Sequence, residues 1–353
     1  MADTIIVDTA TRIFQDLCEA DTVNGAEKGE WPAPLWDALA ENGLPLAWIS
    51  DEFGGAGAEI ADGFAVLRVA GRFAAPVPVA ETLIAGWLLA QARISAPAGP
   101  MTLAPVHADG HIELGGDGRL QGRARHVPFA RNAGHLAVLC RRGSDRMVAL
   151  VAAGTIPMIH GTSLAGEPRD EVSFDGALVQ AAEPAPSGVD EAALSLLGAA
   201  ARTQQMAGAL ERILDQSVQF ALDRVQFGRP IAKFQAVQHN LATLAGEVAA
   251  AGAAADAAAE AIAAHGIAGD TVAGEVAIAK VRVGEAAGTG AAIAHQVHGA
   301  MGFTYEHSLH HATRRLWSWR EEFGNETVWA TRLGHLVAAQ GADRLWHFIT
   351  AGS

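Results

Sequence analysis

The segment from Val225 to His239, VQFGRPIAKFQAVQH, stands between two long helical patterns and decides the fold assignment. Gly228 and Pro230 predict that the preceding amphipathic helix ends here, because neither residue continues a helix well. As a corner between two helices, the segment would use Phe227 and Phe234 as hydrophobic plugs. That interpretation accounts for the glycine, the proline and the aromatic residues.

Three hydrogen-bonding side chains gather at the same corner, namely Arg224, Gln226 and Gln235. The packing of two helices does not require them, and amide or guanidinium groups that become buried must find hydrogen-bond partners. An anionic ligand with hydrogen-bonding groups would supply those partners. The corner therefore predicts a ligand site as well as a turn.

The composition narrows the class of protein. The chain has 353 residues and a net charge of -14; half of the residues are hydrophobic and 18% are charged, which excludes a disordered chain. An acidic chain without a block of lysine and arginine lacks the surface that a general nucleic-acid binder needs. Cys18 and Cys140 form no metal-binding spacing, and no apolar segment reaches the length of a membrane span. We therefore expect a reduced, cytoplasmic protein with no nucleic-acid partner and no membrane insertion.

Hydrophobic patterning predicts three domains. Apolar residues at three- and four-residue spacing predict a helical N-terminal domain over residues 1–97. Short apolar runs separated by turn residues predict a middle domain of antiparallel strands over residues 98–187, which ends in a linker at 182–188. Residues 188–353 return to a helical pattern, and the corner lies inside this C-terminal bundle. The later helices expected there cover residues 236–263, 271–297 and 308–320.

Two further motifs favour simple interpretations. Gly288-Thr289-Gly290 looks like the start of a dinucleotide-binding loop, but Ile293 takes the place of the third glycine and the context is helical. His307, His310 and His311 lack the companion ligands that would complete a recognisable metal site. We interpret them as solvated surface histidines and expect no metal.

Three segments, in the expected order, resemble the acyl-CoA dehydrogenase family. RVQFGRPIAKFQAVQHNLA (224–242) resembles the Arg-x-x-Phe-Gly…Phe-Gln corner of that family, and QVHGAMGF (296–303) is similar to its Gln-x-x-Gly-Gly-x-Gly-Phe segment. ENGLPLAWISDEFGGAG (41–57) resembles part of the family's first domain. The resemblance covers nearly the whole chain. It implies an α+β multidomain fold with a helical N-terminal domain, a middle antiparallel β-barrel-like domain and a C-terminal four-helix bundle.

The resemblance also implies FAD, held between subunits. Arg224, whose forked donor suits phosphate, and Gln235 would contact the pyrophosphate or adenosine half of the cofactor. Gln296 and the backbone of residues 298–300 would bind the ADP part, where Gly299 permits a close approach. The full cofactor-binding set implied by the resemblance is Arg224, Gln226, Phe227, Phe234, Gln235, Gln296, His298, Gly299, Ala300 and Gly324.

The position of the catalytic base departs from the family pattern. In the family's reaction a glutamate removes the α-proton of an acyl-CoA thioester while the β-hydride passes to the flavin. That glutamate commonly stands directly before a glycine, but here Phe323 precedes Gly324. Glu322, one residue earlier, is the first candidate, and Glu321 is the second. The middle domain also lacks the family's Thr-Glu-Pro and Trp-Ile-Thr runs, and HVPFA (126–130) stands in place of the latter.

The resemblance leaves three functions open. The chain is a complete FAD-dependent acyl-CoA dehydrogenase that desaturates an acyl-CoA thioester, or the non-catalytic FAD-binding subunit of a heteromeric acyl-CoA dehydrogenase. The third alternative is a flavin-dependent monooxygenase or nitroalkane oxidase on the same fold. Expected partners are an acyl-CoA substrate and an electron-transferring flavoprotein. The chain is also expected to assemble, either with copies of itself as a dimer or tetramer or with a longer homologous subunit.

Overall fold

The computed structural model describes residues 4–105 and 111–350. The described residues fall into two compact units, one formed by residues up to 66 together with 76–198, the other by 67–75 together with the residues from 199 onward. Each unit contains its own hydrophobic core. The predicted fold class is confirmed, since helical N- and C-terminal regions flank a region of β-sheet.

The N-terminal region is helical. Its helices are α1 (Thr4–Leu17), α2 (Ala20–Glu27), α3 (Ala33–Glu41), α4 (Ile60–Arg72) and α5 (Val79–Gln91). The amphipathic α1 buries Ala10 and Phe14. In contrast, α5 is buried along residues 79–89, because this stretch carries a single charged residue. The Thr82 hydroxyl donates to the Met101 carbonyl at 3.1 Å and accepts from the Met101 N–H at 3.1 Å, which fixes α5 to the sheet.

A mixed sheet follows. Its described strands are β1 (Met101–Ala104), β2 (Ile112–Leu114), β3 (Arg119–Pro128), β4 (His135–Arg142), β5 (Asp145–Ala152), β6 (Met158–Ile159), β7 (Arg169–Ser173), β8 (Ala177–Leu178) and β9 (Ala181–Pro184). The strand order is β6-β7-β3-β2-β4-β5-β9, with β1 paired to β4 and β8 paired to β3. The core of this region lies on β4 and β5, whose alternating residues such as Leu136, Val138 and Ala149 are fully buried.

The sheet differs from the expectation in two details. Most pairings are antiparallel as predicted, but β1 and β2 both run parallel to β4, and the described strands do not close into a barrel. The linker expected at 182–188 is wrong in its first half, because β9 continues to Pro184 and pairs with β5. Backbone pairing there was not visible from the sequence, since Ala-Glu-Pro carries no strand periodicity.

Long helices form the C-terminal region. They are α6 (Glu191–Asp223), α7 (Gln235–His265), α8 (Asp270–His298), α9 (Leu309–Glu321), α10 (Glu326–Gln340) and α11 (Leu345–Thr350), with a short hairpin of β10 (Val225–Gln226) and β11 (Arg229–Pro230) before α7. The helices expected over 236–263, 271–297 and 308–320 correspond to α7, α8 and α9. None of the described helices combines the length and apolar character that crossing a bilayer requires.

Small residues let these helices approach closely. The core between α6, α7, α8 and α9 is rich in fully buried alanines, such as Ala251, Ala255, Ala286 and Ala287. Gly208 in α6 lies directly against α4, since a Cβ at this position would fall 1.9 Å from the Arg68 carbonyl oxygen. The alanine-rich composition therefore reflects tight helix packing rather than low complexity.

Candidate functional site

The corner quoted above forms a tight hairpin between α6 and α7. Gln226 pairs with Arg229, which leaves Phe227 and Gly228 as a two-residue turn with φ of 52° and 78°. Two positive φ values are those of a type I′ turn, but they are costly for a bulky residue such as phenylalanine. Phe227 is 92% exposed, so the expectation that it plugs a helix corner is wrong.

The polar residues of the corner are exposed as well. Arg224 directly follows α6, and its carbonyl oxygen accepts from the Ile231 N–H at 2.8 Å. Its side chain, like those of Gln226 and Gln235, faces solvent. The premise that these groups are buried and need a ligand is therefore wrong for the chain by itself. What the structure offers instead is a set of accessible donors beside an exposed aromatic ring.

The start of α7 adds to the positive character of the corner. α7 has 31 residues, and among the described residues no side chain caps its first N–H groups. A helix N-terminus carries partial positive charge and favours anions. The Arg229 guanidinium lies 4.3 Å from the centre of the Phe234 ring, and Phe234 in turn lies 6.2 Å from Phe227, edge to face. A phosphate-bearing ligand with an aromatic ring system matches both features.

The second predicted segment follows α8 directly. Gln296 and Ala300 are exposed, whereas the His298 side chain is buried. Gly299 has φ 58° and ψ -140°, a backbone conformation that only glycine adopts readily. The segment is therefore held in a specific shape that presents backbone around residues 299 and 300 to solvent. The Phe220 ring near the end of α6 lies 4.4 Å from the His298 ring, so α6 reaches this segment.

Five histidines, four of them buried, lie around the second segment. The histidine cluster consists of His295 and His298 on α8 and of His307, His310 and His311 at the start of α9. His310 and His311 are buried, so their interpretation as solvated surface residues is wrong. Burial lowers the pKa of His311 to about 3. No group of His, Cys, Asp or Glu in the described part of the chain has the arrangement of a metal site.

The two base candidates have very different surroundings. Glu322 follows α9 and accepts from the Arg202 guanidinium, with 2.8 Å between its Oε2 and the Arg202 Nε. The Arg202 side chain is 2% exposed and the Glu322 side chain 18%. Glu321 is 61% exposed and accepts from the Asn325 amide at 3.1 Å. One candidate is thus held by a buried cation, and the other lies on the surface.

The Phe323-Gly324 turn shapes the end of α9. Phe323 has φ 54° and its side chain is buried, while Gly324 has φ 93°. The Trp329 indole N–H donates to the Phe323 carbonyl oxygen at 2.9 Å, and a Cβ on Gly324 would lie 2.9 Å from the same indole nitrogen. Gly324 is therefore required by the close approach of Trp329 as well as by its φ.

A buried lysine, missed in the sequence, completes this region. The Lys280 ammonium donates to the carbonyl oxygens of Trp319 and Arg320 at 3.3 and 2.7 Å and so caps the C-terminal end of α9. Burial lowers the pKa of Lys280 to about 8, opposed by the nearby carboxylates of Glu326 and Glu322. A lysine in an alanine-rich helix carries no sequence signal of burial.

The predicted residues separate into two groups along α9. The corner at 224–235 and residues 296–300 lie near its start, and Glu321, Glu322 and Gly324 lie at or beyond its end. A helix of 13 residues is about 20 Å long. Within this chain, the structure does not bring the base candidates together with the exposed donors of the corner.

Both helical regions match domain models of a known protein family. Residues 2–92 match the model of the acyl-CoA dehydrogenase N-terminal domain, and residues 193–334 match that of the C-terminal domain. The acyl-CoA dehydrogenase IpdE2 of Mycobacterium tuberculosis is 32% identical over 278 residues, 78% of each chain. FadE34 of the same organism is 30% identical over 342 residues, which cover 92% of this chain but 45% of that protein. A chain of the ChsE4-ChsE5 complex from the same organism superposes with a TM-score of 0.83 at 25% identity, covering 94% and 96% of the two chains.

Proposed function

This chain belongs to the acyl-CoA dehydrogenase family of oxidoreductases, and from that premise we propose that it is the FAD-binding, base-lacking subunit of a two-component acyl-CoA dehydrogenase. The assembly would catalyse α,β-desaturation of an acyl-CoA thioester. One observation carries the proposal: the corner expected to bind FAD is accessible, whereas Glu322 is paired with a buried arginine.

The corner fits the cofactor in its chemistry. Arg224, Gln226 and Gln235 would hold the phosphates and adenosine through charged and amide donors, beside the positive end of α7. Phe227 and Phe234 offer aromatic surface, and Gly299 allows the backbone of residues 298–300 to approach the ADP part. The bound FAD would supply the hydride acceptor for the desaturation.

The proton-abstracting base is the part that this chain lacks in our proposal. A general base needs a free carboxylate oxygen within hydrogen-bond reach of the substrate's α-proton. Arg202 occupies an oxygen of Glu322, and Glu321 lies on the surface instead of in the dry pocket that would raise its basicity. Phe323, which stands at the family's base position, has no titratable group.

An exposed apolar stripe supports assembly with a second chain. Val218, Leu222, Val225 and Phe227 all expose large hydrophobic side chains along the end of α6 and the hairpin. Contiguous exposed apolar residues commonly mark interaction surfaces. The superposition on a chain of the ChsE4-ChsE5 complex favours a partner that is a homologous chain. An electron-transferring flavoprotein would then reoxidise the assembly.

A complete dehydrogenase with its own base is the second candidate. Glu322 keeps 18% of its side chain exposed, which leaves an approach for a substrate if Arg202 releases it. In that mechanism Glu322 would take the α-proton, and Glu321 would be the substitute. No structural feature among the described residues favours the monooxygenase or nitroalkane oxidase alternative.

The visible spectrum of the purified protein separates the two candidates. The protein is prepared alone and co-expressed with a longer homologous chain from the same genome, and each preparation is treated anaerobically with a panel of acyl-CoA thioesters. We expect flavin bleaching only in the co-expressed preparation. Bleaching of the protein alone would contradict the two-component proposal, and the absence of flavin from both preparations would contradict the cofactor assignment.

A further inference from the structure

The segment 299–303, which contains the backbone proposed to bind ADP, rests on two rings of the histidine cluster. The Phe303 ring stacks on the His295 ring with a centroid distance of 4.3 Å and an interplanar angle of 23°. A Cβ on Gly302 would lie 3.1 Å from His295 Nδ1 and 3.0 Å from His298 Cβ. The space beside Gly302 is therefore closed by His295, His298 and Leu309, and no side chain fits there without moving them.

The surroundings of both rings accommodate neutral imidazoles, but the residues that the structure describes there offer no acceptor for a second N–H. His298 Nδ1 lies 2.8 Å from the Ala294 carbonyl oxygen, which can only accept, so Nδ1 carries the proton. His298 Nε2 is buried and has no hydrogen-bond partner in the described part of the chain. His295 Nε2 contacts the Thr313 hydroxyl at 2.9 Å, and its Nδ1 is likewise buried, without a partner among the described residues, against Gly302. A second proton on either ring would place an N–H donor where no acceptor stands, which is unfavourable in a buried site.

The charged and titratable groups around the rings come from three elements. His310 acts on His295, and His307 acts on His298. Around these neighbours lie Arg212 on α6, Tyr305 just before α9, and His311, Arg314 and Arg315 on α9. Burial lowers the pKa of His295, and the neighbouring His310 lowers it further. Burial also lowers the pKa of His298; the hydrogen bond to the Ala294 carbonyl oxygen opposes this shift, and His307 and His295 add to it. Burial lowers the pKa of His307 as well, and the neighbouring His310 and Arg212 lower it further.

We propose that His295 and His298 are positioning residues. As neutral rings they hold the segment 299–303 in its observed conformation, which we call the seated state, and protonation of the rings releases it. The inference rests on the proposed function, because the seated segment would present the backbone of Gly299 and Ala300 to the ADP part of FAD. Cofactor retention by this subunit would then depend on pH through two groups that do not touch the reacting atoms.

The sign of the effect follows from the direction of the pKa shifts. A histidine in a released segment titrates near 6.5, whereas the seated rings stay neutral to lower pH. The seated state therefore keeps its full stability above pH 6.5 and loses it as the pH falls towards the lowered pKa values. With an ordinary pKa of about 6.5, protonation of each ring can weaken the seated state at pH 5.5 by at most about tenfold. The Kd for FAD should therefore rise between pH 7.5 and 5.5, by up to about a hundredfold for the two rings together.

Two readouts test the inference. The first is the hydrogen-exchange protection factor of residues 299–303 in the FAD-free protein at pH 7.5 and 5.5, which corrects for the intrinsic pH dependence of exchange. The second is the Kd for FAD at the same two pH values, from flavin fluorescence. Variants His295→Phe, His298→Phe and the double variant keep the ring area but remove the titrating nitrogens, and His335→Phe on the exposed face of α10 is the matched control.

We expect protection and FAD affinity to fall on acidification in the wild type and in His335→Phe, and to become nearly independent of pH in the double variant. Equal protection at the two pH values in the wild type would overturn the inference without any variant. So would a double variant that keeps the wild-type slope. If FAD binds at neither pH but protection still falls, the proposed function fails while the seating of the segment stands.

A second variant tests the seating at constant pH. Gly302→Ala would force a methyl group against both histidines, so we expect the Kd for FAD at pH 7.5 to rise about tenfold. Gly246→Ala is its control, because nothing lies within 4 Å of a Cβ at that position in α7. Equal FAD affinity in Gly302→Ala and Gly246→Ala would overturn the proposed contact.

Discussion

The polar side chains of the corner at 224–235 and those at the end of α9 (319–324) differ in their exposure to solvent. At the corner, the arginine and glutamines face solvent beside an exposed phenylalanine held in a left-handed conformation. At the end of α9, Arg202, Lys280 and Glu322 are buried or nearly so, and their charges are directed at one another or at carbonyl oxygens. The polar groups of the corner are thus accessible from outside the chain, as the proposed function requires, whereas those at the end of α9 (the closed region) already have partners within it.

The largest effect should come from removing the cation of the closed region. Arg202→Met would leave Glu322 without its guanidinium partner in a mostly buried position and should lower the free energy of unfolding by about 3 kcal/mol. Urea denaturation followed by circular dichroism measures this. The double variant Arg202→Met/Glu322→Leu should recover much of the loss, because no unpaired charge remains. A loss below about 0.5 kcal/mol in the single variant would mean that the Arg202–Glu322 pair contributes no more to stability than an exposed ion pair does.

The buried Lys280 should make the stability of the closed region depend on pH. Its folded pKa of about 8 lies below the ordinary value of 10.5, so between these values the folded protein has released the proton that the unfolded chain still holds. Raising the pH through this window therefore stabilises the fold, by up to about 3 kcal/mol. The unfolding free energies of wild type and Lys280→Met should diverge in favour of the wild type from pH 8 to 10.5. Parallel pH profiles would show that Lys280 is not desolvated.

Gly324 tests how tightly the end of α9 is closed. Gly324→Ala combines a positive φ with a Cβ only 2.9 Å from the Trp329 indole nitrogen, so we expect a loss of about 2 kcal/mol in unfolding free energy. Gly246→Ala, in the open middle of α7, should instead gain about 0.5–1 kcal/mol. Thermal unfolding of the two variants in parallel checks the difference. Equal melting temperatures would show that Trp329 does not confine this turn.

The corner should show the smallest effect on stability. Phe227→Ser and Arg224→Gln change exposed side chains, so each should alter the unfolding free energy by less than about 0.5 kcal/mol. Each should nevertheless raise the Kd for FAD by about tenfold, since a lost charged or aromatic contact costs about 1.4 kcal/mol. A variant that loses stability but keeps FAD affinity would make the corner structural and would remove the contrast between the two regions.

The order of a helical, a sheet and a second helical region could be predicted, because hydrophobic periodicity can be read from one sequence alone. The sequence also located the corner through Gly228 and Pro230, whose effect on a helix is local. It did not predict that Phe227 is exposed, because a lone phenylalanine is more often buried. It also missed the pair of Arg202 and Glu322, since residues 120 positions apart meet only through tertiary packing. The burial of His310 and His311 was missed for the same reason.

The helix α10 shows a different limit of sequence analysis. No helix was expected after residue 320, yet Asn325 caps α10 by accepting the Val328 N–H with its side chain, at 3.2 Å. An asparagine at this position is a local helix-start signal, and it could have been used. In contrast, the role of Lys280 as a cap for α9 depends on a contact between residues 39 and 40 positions apart, which no local pattern encodes.

The rate of flavin bleaching in Glu322→Gln tests the central claim most directly. The measurement is a stopped-flow anaerobic reaction with the acyl-CoA that bleaches the wild type, made in whichever assembly shows bleaching, with the Kd for FAD determined alongside. If Glu322 is a structural partner of Arg202, the rate should stay within about threefold of the wild type. A fall of about a hundredfold or more at unchanged FAD affinity would make Glu322 the base and would contradict the proposal that this chain lacks one.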